Sequence, residues 1–461
     1  MIHVYTFFLL SNRVITELLC SGEWGITIQF RFGPDNKLDQ VMGLDSSIVL
    51  TSGQRDRIIN LDNAATTPPF HSVLQAVNSF APWYGSIHRG GGYKSELTTR
   101  VYEEARLLVA DFVGAYIEES AVIFVKNTTE AINKVAYRLA QDCGRRNIVI
   151  STAMEHHSND LPWRGKFKVL YTEVDSAGRL RLDDLEEKLK RSHGRVRLVT
   201  VTGASNVTGH INPVHRIARL AHRYGAEILV DGAQMVSHIP VKMRQRSKEE
   251  TLDYLAFSAH KMYAPFGTGV LVGPRETFER GCSELVGGGT VELVSHDRLR
   301  WGPAPQKDEA GTPNVMGVVA LAEAIRTLIQ LDLCQVKEWE ERLAAYARRN
   351  MARIPGIKMY GDQKNQNDKV GIIPFNLLEV HHETVAARLG ADYGIAVRSG
   401  CFCAQPYVQR LLGVSPAEVT KAFASSDPPN RGMVRVSFGL YNTREDVDAL
   451  VKALTEIASQ N

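Results

Sequence analysis

Between Ile58 and Pro274 two kinds of hydrophobic pattern alternate along the chain. Short β-branched runs recur: AVIFV (121–125), NIVIS (147–151), RLVTVTG (197–203), EILVD (227–231), YLAFS (254–258) and GVLVG (269–273). Most are apolar almost without interruption, as expected of strands buried on both faces. Between several of them, apolar positions fall at helical spacing. In TEAINKVAYRLAQ (129–141), Ala131, Ile132, Val135, Ala136 and Leu139 form one stripe, and HRIARLAHRYG (215–225) ends in a glycine suited to a helix C-cap. Strand alternating with helix predicts a large α/β domain with a mostly parallel sheet over residues 58–325. From 326 to 461 the pattern changes. WEERLAAYARRNMARI predicts a helix, GIIPFNLL and MVRVSFG predict strands, and TREDVDALVKALTEIA predicts an amphipathic helix opened by a Thr443–Asp446 capping box. This reads as a smaller α+β domain, with residues near 58–85 expected to pack beside it. Residues 1–57 show no clear period and end in the polar stretch SSIVLTSGQRDR; they form an N-terminal extension to which the sequence assigns no role.

Composition narrows the class. The 461 residues suffice for two or three domains, and 44% hydrophobic with 23% charged residues is ordinary for a soluble globular protein. A net charge of +3 without a long basic run argues against nucleic acid as a partner. No apolar stretch reaches the roughly 18–20 residues that a membrane span needs. The apolar run at the N-terminus is short, lacks a preceding basic cluster and soon meets Arg13, so it reads as a poor signal peptide. Six cysteines are too few for a disulfide scaffold and point to a cytoplasmic setting with reduced thiols, where a free cysteine can do chemistry. Cys401 and Cys403 make a Cys-x-Cys pair, but no other close Cys/His cluster completes a metal site, so no metal is expected.

Ligands of open α/β sheets collect at the carboxyl ends of the strands, and those ends are chemically rich here. AVIFV runs into Lys126-Asn127-Thr128-Thr129-Glu130 and a helix, a start suited to a phosphate. NIVIS leads to Glu155-His156-His157 and RLVTVTG to Ser205-Asn206; EILVD ends at Asp231, with Gln234 three residues on; YLAFS ends at Ser258, followed by His260 and Lys261. Taken singly, these read as a helix cap, a satisfied histidine or a turn aspartate. Together they ask for one ligand with a phosphate, a basic ring nitrogen, a ring face and an aldehyde. Pyridoxal 5′-phosphate has all four. Lys261 supplies an amine for the aldehyde carbon, Asp231 pairs with the pyridinium nitrogen, His156 stacks on the ring, and Thr129, Ser258 and His260 hold the phosphate.

These segments belong to a longer series: LDNAATTPP (61–69), NTTEAIN (127–133), MEHHSNDLPW (154–163), SNVTGHINP (205–213), VDGAQ (230–234), SAHKMYAPFGTGVL (258–271), EAGTPN (309–314), RSGCFCAQP (398–406) and RVSFGLYNT (435–443). In this order they resemble the class V aminotransferase family of fold type I pyridoxal phosphate enzymes. Within it, they are similar to the cysteine desulfurase and selenocysteine lyase group of the sulfur-mobilisation type. The resemblance implies that Lys261 is the acid and base at the substrate Cα, assisted by His156, and that Asp231 and Gln234 contact the pyridine nitrogen and phenolic oxygen. It implies that Thr128, Thr129, Ser258 and His260 bind phosphate, with Thr312 reaching the phosphate of a neighbouring subunit, hence a homodimer with shared active sites. Arg435 would clamp the substrate carboxylate with help from Asn206, while His88 and Arg398 line the pocket.

In the desulfurases that the chain resembles, a cysteine at the position of Cys403 takes the substrate sulfur as a persulfide and alanine leaves. That chemistry needs a thiolate, and Arg398 is a candidate cation to favour it. Two features depart from the pattern. Cys401 stands where those desulfurases usually carry a non-cysteine, and Gly-Cys-Phe-Cys is similar to the desulfurase-like domain of molybdenum cofactor sulfurases; three glycines at 90–92 follow His88. The implied reaction converts L-cysteine, or a related amino acid, to L-alanine and passes sulfur to an acceptor protein or small molecule; selenocysteine shares the same adduct chemistry. Two other readings stay open. One is a C–S lyase, transaminase or epimerase on the same scaffold. The other is a non-catalytic relative or sulfur carrier, against which the intact Lys261–Asp231–His156 set argues.

Overall fold

The apolar runs form six adjacent strands of a seven-stranded sheet. The computed structural model describes residues 40–362, 368–426 and 430–460. Its strands are β1 (Ser120–Val125), β2 (Ile148–Thr152), β3 (Lys168–Thr172), β4 (Val196–Thr202), β5 (Glu227–Asp231), β6 (Tyr254–Ser258) and β7 (Gly269–Pro274), in the order β1-β7-β6-β5-β4-β2-β3. Only β7 runs against its neighbours, pairing antiparallel with both β1 and β6. The reason is distance along the chain: the residues between Ser258 and Gly269 are too few for a crossover connection, so the strand turns straight back. The other six strands therefore bring their carboxyl ends to one edge. The sequence pattern did not mark β3. It is an edge strand, only partly buried, and KVLYT lacks the continuous apolar run of its neighbours.

Burial explains why those runs are so apolar. Along β1, Val122 and Phe124 enter one core while Ala121, Ile123 and Val125 enter another on the opposite face; along β5, Ile228 and Val230 part from Leu229 in the same way. The faces are covered by helices, including α1 (Tyr93–Phe112), α2 (Thr128–Gln141), α3 (Val214–Arg223) and α4 (Val315–Gln330). The stripe expected on α2 is the one that packs: Ala131, Ile132, Val135, Ala136 and Leu139 are all buried. Each large member of it contributes roughly 1.5–3 kcal/mol by leaving water.

A second, wholly antiparallel sheet joins β8 (Ile357–Met359), β9 (Ile372–Leu377), β10 (Arg398–Gly400) and β11 (Met433–Ser437) in the order β8-β9-β11-β10. It packs with α5 (Leu333–Met351) and α7 (Arg444–Ser459), while α6 (Gln405–Leu412) follows the loop after β10. Thr443 and Asp446 make the capping box that opens α7. Ile59 and Leu61 also enter this core, and Ile59 pairs in parallel with Ile395. We propose that the two lobes divide within α5, later than residue 325: Leu328, Leu331 and Val336 pack in the first core, and Leu343 onward in the second. Of the N-terminal extension, residues 1–39 lie outside the described residues. Its remainder packs on the fold: Val41 bridges Phe70, and Ser47–Val49 pairs with Arg55–Arg57. Among the described residues no helix is long and apolar enough to cross a membrane.

Gly269 opens β7 between Val125 and Ser258, directly beneath the turn that starts α2. A Cβ there would come within 2.6 Å of the Asn127 Cα and 2.9 Å of its N and C atoms, backbone that cannot swing aside. Gly269→Ala is expected to destabilise the protein by about 1–3 kcal/mol and to lower its thermal midpoint in scanning fluorimetry. An unchanged midpoint would show that the turn moves freely.

Candidate active site

The carboxyl edge of the first sheet and the face of the second enclose a cavity of about 330 Å³. One end is built by α2. Asn127 caps it, accepting the Glu130 N–H on Oδ1 at 3.0 Å. The Thr128 N–H donates to Ser258 Oγ at 2.8 Å, the Thr128 and Ser258 hydroxyls lie 2.7 Å apart, and the Thr129 hydroxyl meets that of Ser158 at 2.7 Å. Hydroxyls thus collect at the positive end of a 14-residue helix, an arrangement that favours an anion. His260 lines the same cavity; burial and then Lys261 push its imidazolium down to about 4.

The floor is made by the ends of β5 and β6. Asp231 is buried, accepts the Ala233 N–H at 3.0 Å, and has its carboxyl raised above the ordinary range by burial. Lys261 also lines the cavity. Burial pushes its ammonium down to about 8 against the pull of Asp231, and Arg435 pushes the same way. Gln234 donates to the Ala64 carbonyl at 2.6 Å, while its buried Oε1 has no hydrogen-bond partner. His156 accepts the Ser158 N–H on Nδ1 at 3.0 Å, which leaves the proton of the neutral ring on Nε2. Burial first, then Lys261, His157 and Arg435, drive its imidazolium down to about 3, so the ring is neutral.

The opposite wall comes from the second sheet. Arg398 and Arg435 stand directly across from one another on β10 and β11. Asp62 takes both, at 2.8 Å from Arg398 and 2.9 Å from Arg435. Arg435 also donates to the Asn206 carbonyl at 3.0 Å, lies 5.0 Å from the Phe402 ring centroid, and keeps a buried Nε without a partner. Cys403 lies in the turn 401–404, closed by the Ala404 N–H on the Cys401 carbonyl at 2.8 Å. Both central residues have positive φ, 53° at Phe402 and 54° at Cys403, a signature of primed turns that usually employ glycine or asparagine. The charges that Cys403 acts on are Lys261 and Arg435, which it helps to keep protonated; Arg398 is instead engaged by Asp62.

Thr128, Thr129, His156, Asn206, Asp231 and Gln234 therefore meet Ser258, His260, Lys261, Arg398, Cys403 and Arg435 around one cavity. His88 and Thr312 do not join them within this chain. They line a second cavity of about 500 Å³. His88 is held at 3.0 Å by Glu103, and the loop carrying Thr312 is anchored through Glu309, which meets Arg106 at 2.8 Å and accepts the Phe124 N–H at 2.7 Å. Sequence reasoning gave no role to Asp62 or Glu155. Asp62 is the one charged residue of LDNAATTPP, the signal that could have found it. Glu155 is a buried acid, pushed up to about 8 by burial, that receives Thr152, Asn159 and Thr202 at 2.5, 2.6 and 3.0 Å and so ties the histidine loop to β4. Among the described residues, no group of three or more His, Cys, Asp or Glu side chains is placed to hold a metal ion.

These residues fit pyridoxal phosphate. A buried carboxyl, an amide oxygen without a partner, an amine whose ammonium is weakened by burial and a hydroxyl-lined helix N-terminus stand in one cavity. Comparison with known proteins agrees. A cysteine desulfurase of Haloferax volcanii is 35% identical over 428 residues, covering 90% of this chain and 93% of that protein. A probable cysteine desulfurase of Halalkalibacterium halodurans is 36% identical over 404 residues, covering 86% and 92%. Among solved structures, the apo cysteine desulfurase of Thermococcus onnurineus superposes with a TM-score of 0.81 at 32% identity, covering 94% of this chain and 100% of that one. The cysteine desulfurase CsdA of Escherichia coli gives 0.76 at 32%, covering 94% and 99%. The profile of the Aminotransferase class-V family matches residues 59–450, and with a match of that length the chain belongs to that family.

Proposed function

We propose that this chain is a pyridoxal phosphate-dependent cysteine desulfurase, which converts L-cysteine to L-alanine, holds the sulfur as a persulfide on Cys403 and passes it to an acceptor protein or small molecule. The observation that carries the proposal is that Cys403 shares one cavity with Lys261, Asp231, His156 and Arg435. The relatives named cysteine desulfurase support the same reaction.

When bound, the cofactor would supply an electron sink for charge developing at the substrate Cα. Thr128, Thr129, Ser258 and His260 would hold its phosphate and Asp231 its ring nitrogen, with Gln234 beside the phenolic oxygen. His156, kept neutral, presents an uncharged ring suited to stacking. Lys261 lies near its neutral form at about pH 8 and so can both take and return a proton at Cα. Arg435 would bind the substrate carboxylate, with Asn206 fixing the guanidinium through its carbonyl. Cys403, which would take up the sulfur, lines the same cavity as Lys261 and Arg435. The reduced thiols of the cytoplasm suit this role, and all five described cysteines are free.

The reading includes a homodimer. His88 and Thr312 would complete the site of the neighbouring subunit from the second cavity. The hairpin of Val291–Val294 and Leu299–Trp301 beside that cavity exposes Leu293, Val294 and Leu299, apolar surface of the kind that subunit contacts cover.

Three outcomes are expected. Cys403→Ser should abolish alanine and persulfide formation from L-cysteine while the cofactor absorption band remains; undiminished sulfur transfer would refute the assignment. Arg435→Lys should raise KM for L-cysteine roughly 10- to 100-fold, the cost of a lost charge-assisted contact, and an unchanged KM would move the carboxylate site elsewhere. Only the neutral amine of Lys261 can bond a carbonyl carbon, so the rate at which apo-protein takes up pyridoxal phosphate should rise with pH and level off above about pH 8. A flat profile from pH 6 to 9, followed by absorbance, would contradict that environment for Lys261.

A further inference from the structure

The turn that carries Cys403 places two side-chain-bearing residues in succession at positive φ, without glycine's freedom there. Such backbone persists only where its surroundings over-determine it. Three groups from the first lobe do so. The Asn206 side chain donates to the Phe402 carbonyl at 2.7 Å. The His157 N–H donates to the Cys403 carbonyl at 2.6 Å. The His157 ring accepts the Gln405 N–H on Nε2 at 3.2 Å.

This last contact fills a gap in the local chemistry. Gln405 opens α6, and the first N–H groups of a helix have no partner inside it. The residue at the N-cap is Ala404, which has no side-chain oxygen to offer, and Pro406 brings no N–H at all. The imidazole of His157 takes the place that a serine or aspartate N-cap would fill. It does so only with Nε2 unprotonated, and burial lowers the pKa of this ring. The adjacent histidines thus divide: His156 lines the cavity, whereas His157 faces the turn, with ring centroids 6.3 Å apart and planes tilted by 48°.

We propose that His157 is a positioning residue for the sulfur-carrying cysteine: its backbone and ring grip the chain at and just after Cys403, at the Cys403 carbonyl and the Gln405 N–H, and hold the turn in the strained form that presents the thiol to the cavity. The inference rests on the reading of Cys403 as the persulfide carrier.

The test uses the full-length holoenzyme with His157→Leu, which removes the acceptor, and His157→Gln, whose side-chain oxygen can replace it. Hydrogen exchange followed by mass spectrometry reads the amides of residues 404–408, and alanine release from L-cysteine reads the reaction. In His157→Leu, exchange should speed up at least about tenfold and kcat should fall about tenfold, the equivalent of one lost hydrogen bond, with KM within twofold and the cofactor band retained. His157→Gln should restore both to within about twofold. Wild-type exchange in His157→Leu would overturn the proposal, as would equal failure of both variants, which would make the residue a matter of packing alone. Should the wild type yield no alanine from cysteine, the reading of the reaction fails, and the exchange comparison still decides whether His157 holds the turn.

Discussion

The carboxylate of Asp62 holds two guanidiniums that the second sheet places side by side, and the walls of the cavity follow from that pairing. Arg398 and Arg435 are cross-strand neighbours, and like charges in that position repel. Asp62 answers both. Its own stretch of chain is stitched to β11 by the Asp62–Ser437 bridge and by the Ala64 N–H on the Ser437 hydroxyl at 2.9 Å, and the Ala64 carbonyl then receives Gln234 from the first sheet. On the other side, Arg435 lies against Phe402, whose carbonyl is held by Asn206. One carboxylate therefore links both sheets, the paired arginines and the cysteine turn.

Burial acts on every ionisable group of the floor in the same sense, toward neutrality. It lifts the Asp231 carboxyl and lowers the Lys261 ammonium and the His156 imidazolium, and the attraction between Asp231 and Lys261 only partly opposes it. Lys261, brought down to about 8, stands closest to the balance between its two forms, where proton exchange costs little, and such shifts cluster where chemistry is done. Glu155 shows the other use of a buried acid. It serves as a joint between the histidine loop and β4, with all its contacts internal.

Much of this was readable along the chain because burial on both faces of a sheet leaves a strong trace. Six of the seven strands are continuous apolar runs, and the residues at their ends were identifiable from position alone. What escaped lacks a local signature. The strand Lys168–Thr172 is only partly buried, so its pattern is mixed. Asp62 and His157 act on residues hundreds of positions away, brought near only when the two lobes meet. The turn at Phe402–Cys403 has no glycine or asparagine to announce it, because outside contacts hold it. His88 was expected from resemblance to line the pocket and Thr312 to reach that of a neighbouring subunit; within one chain both line another cavity, a separation that spacing along the sequence cannot express.

The order of the first sheet has a consequence for biosynthesis. Its earliest strand, β1, hydrogen-bonds to no strand of the sheet except β7, the last of the seven to leave the ribosome. Until Gly269–Pro274 emerges, Ser120–Val125 has no strand to pair with, and nothing in the sheet holds Thr128 beside Ser258. A nascent chain that stops short of β7 thus lacks the anion-binding end of the cavity, however well its middle strands have assembled. The cavity is therefore complete only when the last strand has joined the sheet.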